Sequence, residues 1–258
     1  MGTTTTPSVG SSAAVRRVFP PCPAATNVGK IAKITMYDPK KLINSNNNLK
    51  NALVDVQDFY NNLKNTANLD SQVSSDLSGY TFQATYQSSA PSAAEINAMG
   101  RMDFPMYVFN SPGLSPNLTS IGEIHQLMET HQIPSVLFLT TYSSPNASST
   151  NATGDVYNTT SQKWGDTITL GFGFPGIYHT SGTCHKLGLI KIDAVLNNVA
   201  GAVATNKFKF VVTHELGHML AVSHKAGTIM NETYNLSSSD FQPLQITVIR
   251  DTLKKLSP

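Results

Sequence analysis

Three of the chain's seven histidines fall within eleven residues of one another, in THELGHMLAVSHKAGTIM (213–230). His214 and His218 are four apart, so on a helix they stand one above the other on the same face. At that separation both imidazoles can reach one ion at roughly 2.0–2.1 Å, the bond length zinc takes with ring nitrogen. Glu215 lies about 100° further round the helix. Its carboxylate flanks the ion without having to bind it, where a general base must sit to take a proton from water held by the metal. His224 is six residues past His218, too far along a continuous helix to share the ion. A sharp turn after Leu220 would bring it back as a third nitrogen. Read this way, the stretch encodes one zinc ion held on one open side.

His214-Glu215-x-x-His218-x-x-Ala221-x-x-His224, followed by Met230, resembles the zinc signature and Met-turn of the metzincin metalloproteases, and within that clan the matrixin-type catalytic domain. The resemblance implies one catalytic zinc on His214, His218 and His224, Glu215 as general base, and Met230 as an apolar floor beneath the metal. It further implies an α+β (α/β-like) fold: a twisted, mostly parallel five-stranded sheet with an antiparallel edge strand, two long helices, the Met-turn and a C-terminal helix. The implied activity is that of a zinc metalloendopeptidase, with peptides or proteins as substrates. Tyr234 stands four residues after Met230, where some metzincins carry a tyrosine at two. It is a possible transition-state stabiliser, and the longer offset favours packing against the turn. Ala221 departs from the family, which has glycine there; if the backbone needs a positive φ, alanine costs roughly 1 kcal/mol.

Elements that could position these residues follow from periodicity. KIAKITMYD (30–38) alternates as a strand. In NLKNALVDVQDFYNNLKN (48–65), Leu49, Leu53, Val56, Phe59 and Leu63 recur at helical spacing. YTFQATY (80–86) reads as a second strand, which suggests a parallel pair joined by a helical crossover. SAAEINAMGRM reads as a short helix, PMYVFN as a strand, SIGEIHQLMETH as a helix and SVLFLTTY (135–142) as a buried strand. After a long polar stretch (143–166) come two more strands, TITLGFGFPGI and HKLGLIKIDA, with the edge strand placed at 167–174. FKFVVTHELGHML carries the apolar stripe of the site helix. LSSSDFQPLQITVIRDTLKKL resembles the closing helix of matrixins, with Ser239 or Asp240 as N-cap. The expected organisation is a flexible tail over 1–28 and a catalytic domain over 29–258, divided into subdomains 29–224 and 225–258.

Composition narrows the alternatives. Of the 258 residues 13% are charged and the net charge is +2, with basic residues scattered, which argues against a nucleic-acid partner. The longest apolar run, VLFL (136–139), is far short of the ~20 residues of a membrane-spanning helix. No apolar block of a secretory signal stands near the start. Asn117, Asn146, Asn151, Asn158, Asn231 and Asn235 open N-x-S/T triplets, which permit a glycoprotein. A secreted or extracellular protein is the favoured expectation, with a virion-associated or intracellular one as alternative. Oligomeric state is not legible.

Cys22 and Cys184 are far apart and fit no Cys-x-x-Cys pattern. Three readings stand open: a disulfide pinning the N-terminal segment to the domain, free thiols, or Cys22 folded over the zinc as an inhibitory thiolate. His125 and His131 read as surface residues. His179 and His185 read as loop histidines, with a second metal site as the rival. The functional alternative to a peptidase is a structural, virion- or surface-associated protein that keeps the zinc site with vestigial proteolysis.

Overall fold

The structure is a computed structural model, and it describes residues 20, 22–24, 28–43, 47–110, 128–141, 157–158, 163–164, 171–179, 182–192, 195, 201–231 and 240–257. Strand β1 (Ile31–Tyr37) is followed by helix α1 (Asn47–Asn62), helix α2 (Ser71–Ser78), β2 (Thr81–Gln87), α3 (Ala93–Ala98), β3 (Asp103–Asn110) and β4 (Val136–Thr141). A two-residue antiparallel ribbon, β5 (Tyr157–Asn158) with β6 (Lys163–Trp164), precedes β7 (Gly171–His179) and β8 (Gly182–Lys191). Helices α4 (Gly201–Met219) and α5 (Pro243–Leu256) close the chain.

The main sheet runs β2-β1-β3-β4-β8-β7. Five strands, β2, β1, β3, β4 and β8, are mutually parallel, and β7 lies antiparallel to β8 at the edge. Among the described residues the sheet thus has six strands rather than the five implied by resemblance. The outermost strand is described from Gly171 to His179, and residues 167–170 of the expected edge lie outside the described residues.

Alternation along the strands divides the core. From β1 and β3, Ile34, Met36, Met106 and Val108 face the layer that contains α1, α4 and α5. Tyr37, Tyr107 and Phe109 face the other side, with Met128, Ile133, Leu187 and Leu189. Both faces of β3 and β4 are covered, which fits their apolar runs PMYVFN and SVLFLTTY. On α1 the buried stripe is Leu49, Ala52, Leu53, Val56 and Tyr60, the leucines and the valine each stabilising the packed state by roughly 1.5–3 kcal/mol. The expected stripe ran through Phe59; the helix is instead rotated to bury Tyr60, and Phe59 is only partly covered.

Helix α2 has no strong apolar period in sequence. Asp70 caps it by accepting from the backbone N–H of Gln72 and Val73 at 2.9 and 3.1 Å. Arg250 and Lys254 of α5 reach its Asp76 at 2.5 and 2.6 Å. α5 is capped by Gln242, with Gln245 completing a capping box and Pro243 in the first turn. Asp240 was the expected cap, but its carbonyl accepts from Ile229 N–H at 3.0 Å, which ties it to the preceding turn. Ser239 lies outside the described residues. No helix among the described residues is long and apolar enough to cross a membrane.

The segment expected as a free tail is partly docked. Pro20 and Pro23 are buried, Ala24 bridges Gly100 in parallel, and Arg101 N–H donates to the Ala24 carbonyl at 2.9 Å.

Candidate metal centre

The helix that carries the candidate ligands is unusual in being buried nearly all round at its C-terminal end. From Phe208 to Met219 it buries Phe208, Phe210, Val211, Val212, Thr213, His214, Glu215, Leu216, Gly217 and Met219. A helix apolar on every side belongs in a core. Here it packs against α1, β7 and β8.

It ends in a Schellman motif. Val222 N–H reaches back to Gly217 O and Ala221 N–H to His218 O, both at 2.9 Å. The motif requires a left-handed residue, and Ala221 takes φ +67. Alanine therefore does occupy the strained position, and the chain turns out of the helix as His224 requires. The returning loop is pinned by Lys225 N–H to Met230 O at 2.9 Å, and by Thr228 Oγ1, which accepts from Met230 N–H at 3.1 Å.

This path brings the three histidines together. His218 Nε2 lies 3.1 Å from His214 Nε2 and 3.0 Å from His224 Nε2, and one ligand atom from each ring falls within 4.8 Å of the others. His214 Nδ1 is 2.8 Å from Ile229 O, and His218 Nδ1 is 2.9 Å from Val222 O. Carbonyls only accept, so both Nδ1 atoms carry the proton and both Nε2 atoms present lone pairs. Two lone pairs cannot bond to each other at 3.1 Å; a cation between them removes the conflict. Nitrogens placed tetrahedrally at zinc's bond length stand roughly 3.3–3.4 Å apart, close to what is seen. Donation of the second ring N–H to a main-chain carbonyl is also the usual support of a ligating imidazole. The residues therefore fit a zinc ion.

Burial keeps His214 neutral, pushing its pKa down to about 4 against the opposing Ile229 hydrogen bond. His218 is lowered for the same reason. Glu215 is 3% exposed, and burial raises its carboxyl well above the ordinary range. Its Oε2 is buried with no hydrogen-bond partner among the described residues. An orphaned buried carboxyl oxygen is costly, and a water molecule beside it would satisfy it.

Met230 is fully buried, and its Sδ would stand 2.6 Å from a Cβ built on Gly217. Phe241 Cζ closes the same point at 3.2 Å. Tyr234 lies outside the described residues. Cys22 is disulfide-bonded, and Cys184 is the only other cysteine in the sequence. With its sulfur so engaged, Cys22 is not an inhibitory thiolate over the histidines. His131 is half-buried against Tyr107, ring centres 4.4 Å apart, rather than on the surface as expected. His125 lies outside the described residues, as do the side chains of His179 and His185.

Sequence reasoning missed two contributors, Tyr60 and Phe241. Both belong to other elements, and nothing in their local pattern marks them.

No family model matches the chain, and no curated protein does. Among solved structures, a zinc-dependent peptidase from Methanocorpusculum labreanum (strain Z) is similar over 86% of this chain and 92% of its own, at 12% identity and a TM-score of 0.33. So loose a likeness carries no argument about function.

Proposed function

We propose that the protein is a zinc-dependent endopeptidase of metzincin type. The observation that carries this is the convergence of three imidazole nitrogens, with a buried and unpartnered glutamate oxygen on the same helix turn. A structural zinc site closes its fourth position and needs no base. Among the described residues no fourth ligand joins the three histidines.

His214, His218 and His224 would hold the ion. When bound there, zinc supplies Lewis acidity, polarising a peptide carbonyl and lowering the pKa of a water molecule towards neutrality. With the charge of a bound zinc ion favouring its ionised form over the effect of burial, Glu215 would take the proton of the attacking water and deliver it to the departing amine nitrogen. No serine or cysteine nucleophile is called for. Main-chain carbonyls of Val222 and Ile229 keep two imidazoles in the ligating tautomer. Met230 packs under the helix turn between the two ligands. Strand β7, whose one sheet neighbour among the described residues is β8, offers its outer edge to an extended peptide backbone.

The test is direct. Purified protein is expected to bind one zinc per chain and to cleave members of a fluorogenic peptide library. A chelator should abolish cleavage and zinc restore it. A zinc-loaded protein that cleaves nothing in such a library would overturn the proposal.

A further inference from the structure

Tyr60 lies on α1, far from the site helix in sequence, yet its hydroxyl donates to the Thr213 carbonyl at 2.9 Å. Both residues are buried, Tyr60 being 3% exposed. That carbonyl belongs to the peptide bond joining Thr213 to His214, so whatever moves it moves the first candidate ligand. Within an α-helix the same oxygen already serves the amide four residues on. Its second lone pair takes the tyrosine. For packing alone a phenylalanine would suffice, and a buried hydroxyl costs free energy unless it is bonded. This one is aimed at a single peptide oxygen.

The ring has little room to shift. It stacks on Phe82 with centres 4.8 Å apart and meets Phe59 edge-on at 5.7 Å. Phe241 lies against it at 6.1 Å. Phe241 in turn closes the space over Gly217, between His214 and His218. One aromatic group thus spans α1, β2, the approach to α5 and the ligand-bearing turn.

We infer that Tyr60 is a positioning residue of the metal centre: its hydroxyl fixes the rotation of the Thr213–Glu215 turn about the helix axis, and so the directions in which His214 and Glu215 leave it. The inference rests on the zinc-peptidase reading above. A group that aims a ligand is worth roughly ten- to a hundredfold in metal affinity or activity. Misplacing a reacting group by 1 Å costs on the order of 10²-fold.

Tyr60→Phe removes the hydroxyl and keeps the ring. Its zinc dissociation constant, read by chelator competition, should rise roughly tenfold or more. The visible spectrum of its cobalt form should change, and kcat should fall at unchanged KM. Tyr80→Phe is the matched control, since it deletes a hydroxyl bonded to Ser257 at 3.1 Å in another part of the fold. It should lower the denaturation midpoint and leave zinc affinity and the cobalt spectrum alone. If Tyr60→Phe behaves as Tyr80→Phe does, Tyr60 is packing only and the inference falls. Should Tyr60→Phe fail to fold, 3-fluorotyrosine at position 60 reports instead: its fluorine resonance must shift on zinc loading, and an unmoved resonance is the overturning result. A wild type that binds zinc but cleaves no peptide defeats the peptidase reading, and the affinity comparison still decides the role of Tyr60. A wild type that binds no zinc defeats both.

Discussion

Gly217 and Met230 occupy one space: a methyl group on Gly217 would stand 2.6 Å from the Met230 sulfur, nearer than real contacts come. Gly217→Ala should therefore lower stability by about 1–3 kcal/mol, the usual cost of overpacking a core. The measurement is chemical denaturation of the metal-free protein. Shortening the partner in Gly217→Ala/Met230→Ala should return part of the loss, giving a coupling energy of opposite sign in a double-mutant cycle. Strict additivity would show that the two side chains do not compete.

Glu215→Gln keeps the shape of the side chain and removes its basicity. Zinc content should stay at one ion per chain, and peptide hydrolysis should fall at least a thousandfold, to background. Wild-type cleavage by this variant would remove Glu215 from the chemistry.

Ala221 adopts φ +67, a region that only glycine enters without cost. Ala221→Gly should raise stability by about 1 kcal/mol, seen as a higher denaturation midpoint at unchanged slope. An unchanged or lower midpoint would mean that the backbone there carries no strain.

Lys186 is 2% exposed; its ammonium donates to the Arg101 carbonyl and sits 4.5 Å from the centre of the Phe104 ring. Burial brings its pKa down to about 7, against the attraction of Asp103. The folded value is thus below that of the unfolded chain, so between about pH 7 and 10 the unfolded state binds the extra proton. Stability should rise with pH across that window, by at most about 1.4 kcal/mol per unit, and the full penalty stands below pH 7. Tyr37, raised by burial to about 12, works in the opposite sense above pH 10. Lys186→Met should flatten the rise between pH 7 and 9.5. Parallel pH profiles for the two proteins would sink the argument.

The candidate ligands were legible because helix geometry converts a spacing of four into a shared face, whatever surrounds it. The position of His224 was legible only conditionally. It needed a turn, and the Schellman hydrogen bonds of Ala221 and Val222 supply one. Strands β3, β4 and β8 stood out as apolar runs, which a sheet covered on both faces demands, while β1 and β2 stood out by alternation. Helix α2 did not, since its apolar stripe is only Val73 and Leu77, with Asp70 and the charges of α5 adding to its hold. Tyr60 was hidden for a related reason: a shift of one residue in the buried face of α1 exchanges it with Phe59, and periodicity tolerates either. The start of α5 was misplaced because Asp240 has a cap's side chain, while its backbone serves the turn at Ile229. Cys22 was open to three readings because two cysteines carry no spacing information.

Both proton-bearing imidazole nitrogens are tethered to carbonyls that come later in the chain, at Val222 and Ile229. During synthesis the helix is therefore made before its own supports. A product that stops short of Ile229 has no carbonyl to select the tautomer of His214. On the proposed reading, a chain released before that residue would be born without hydrolytic competence.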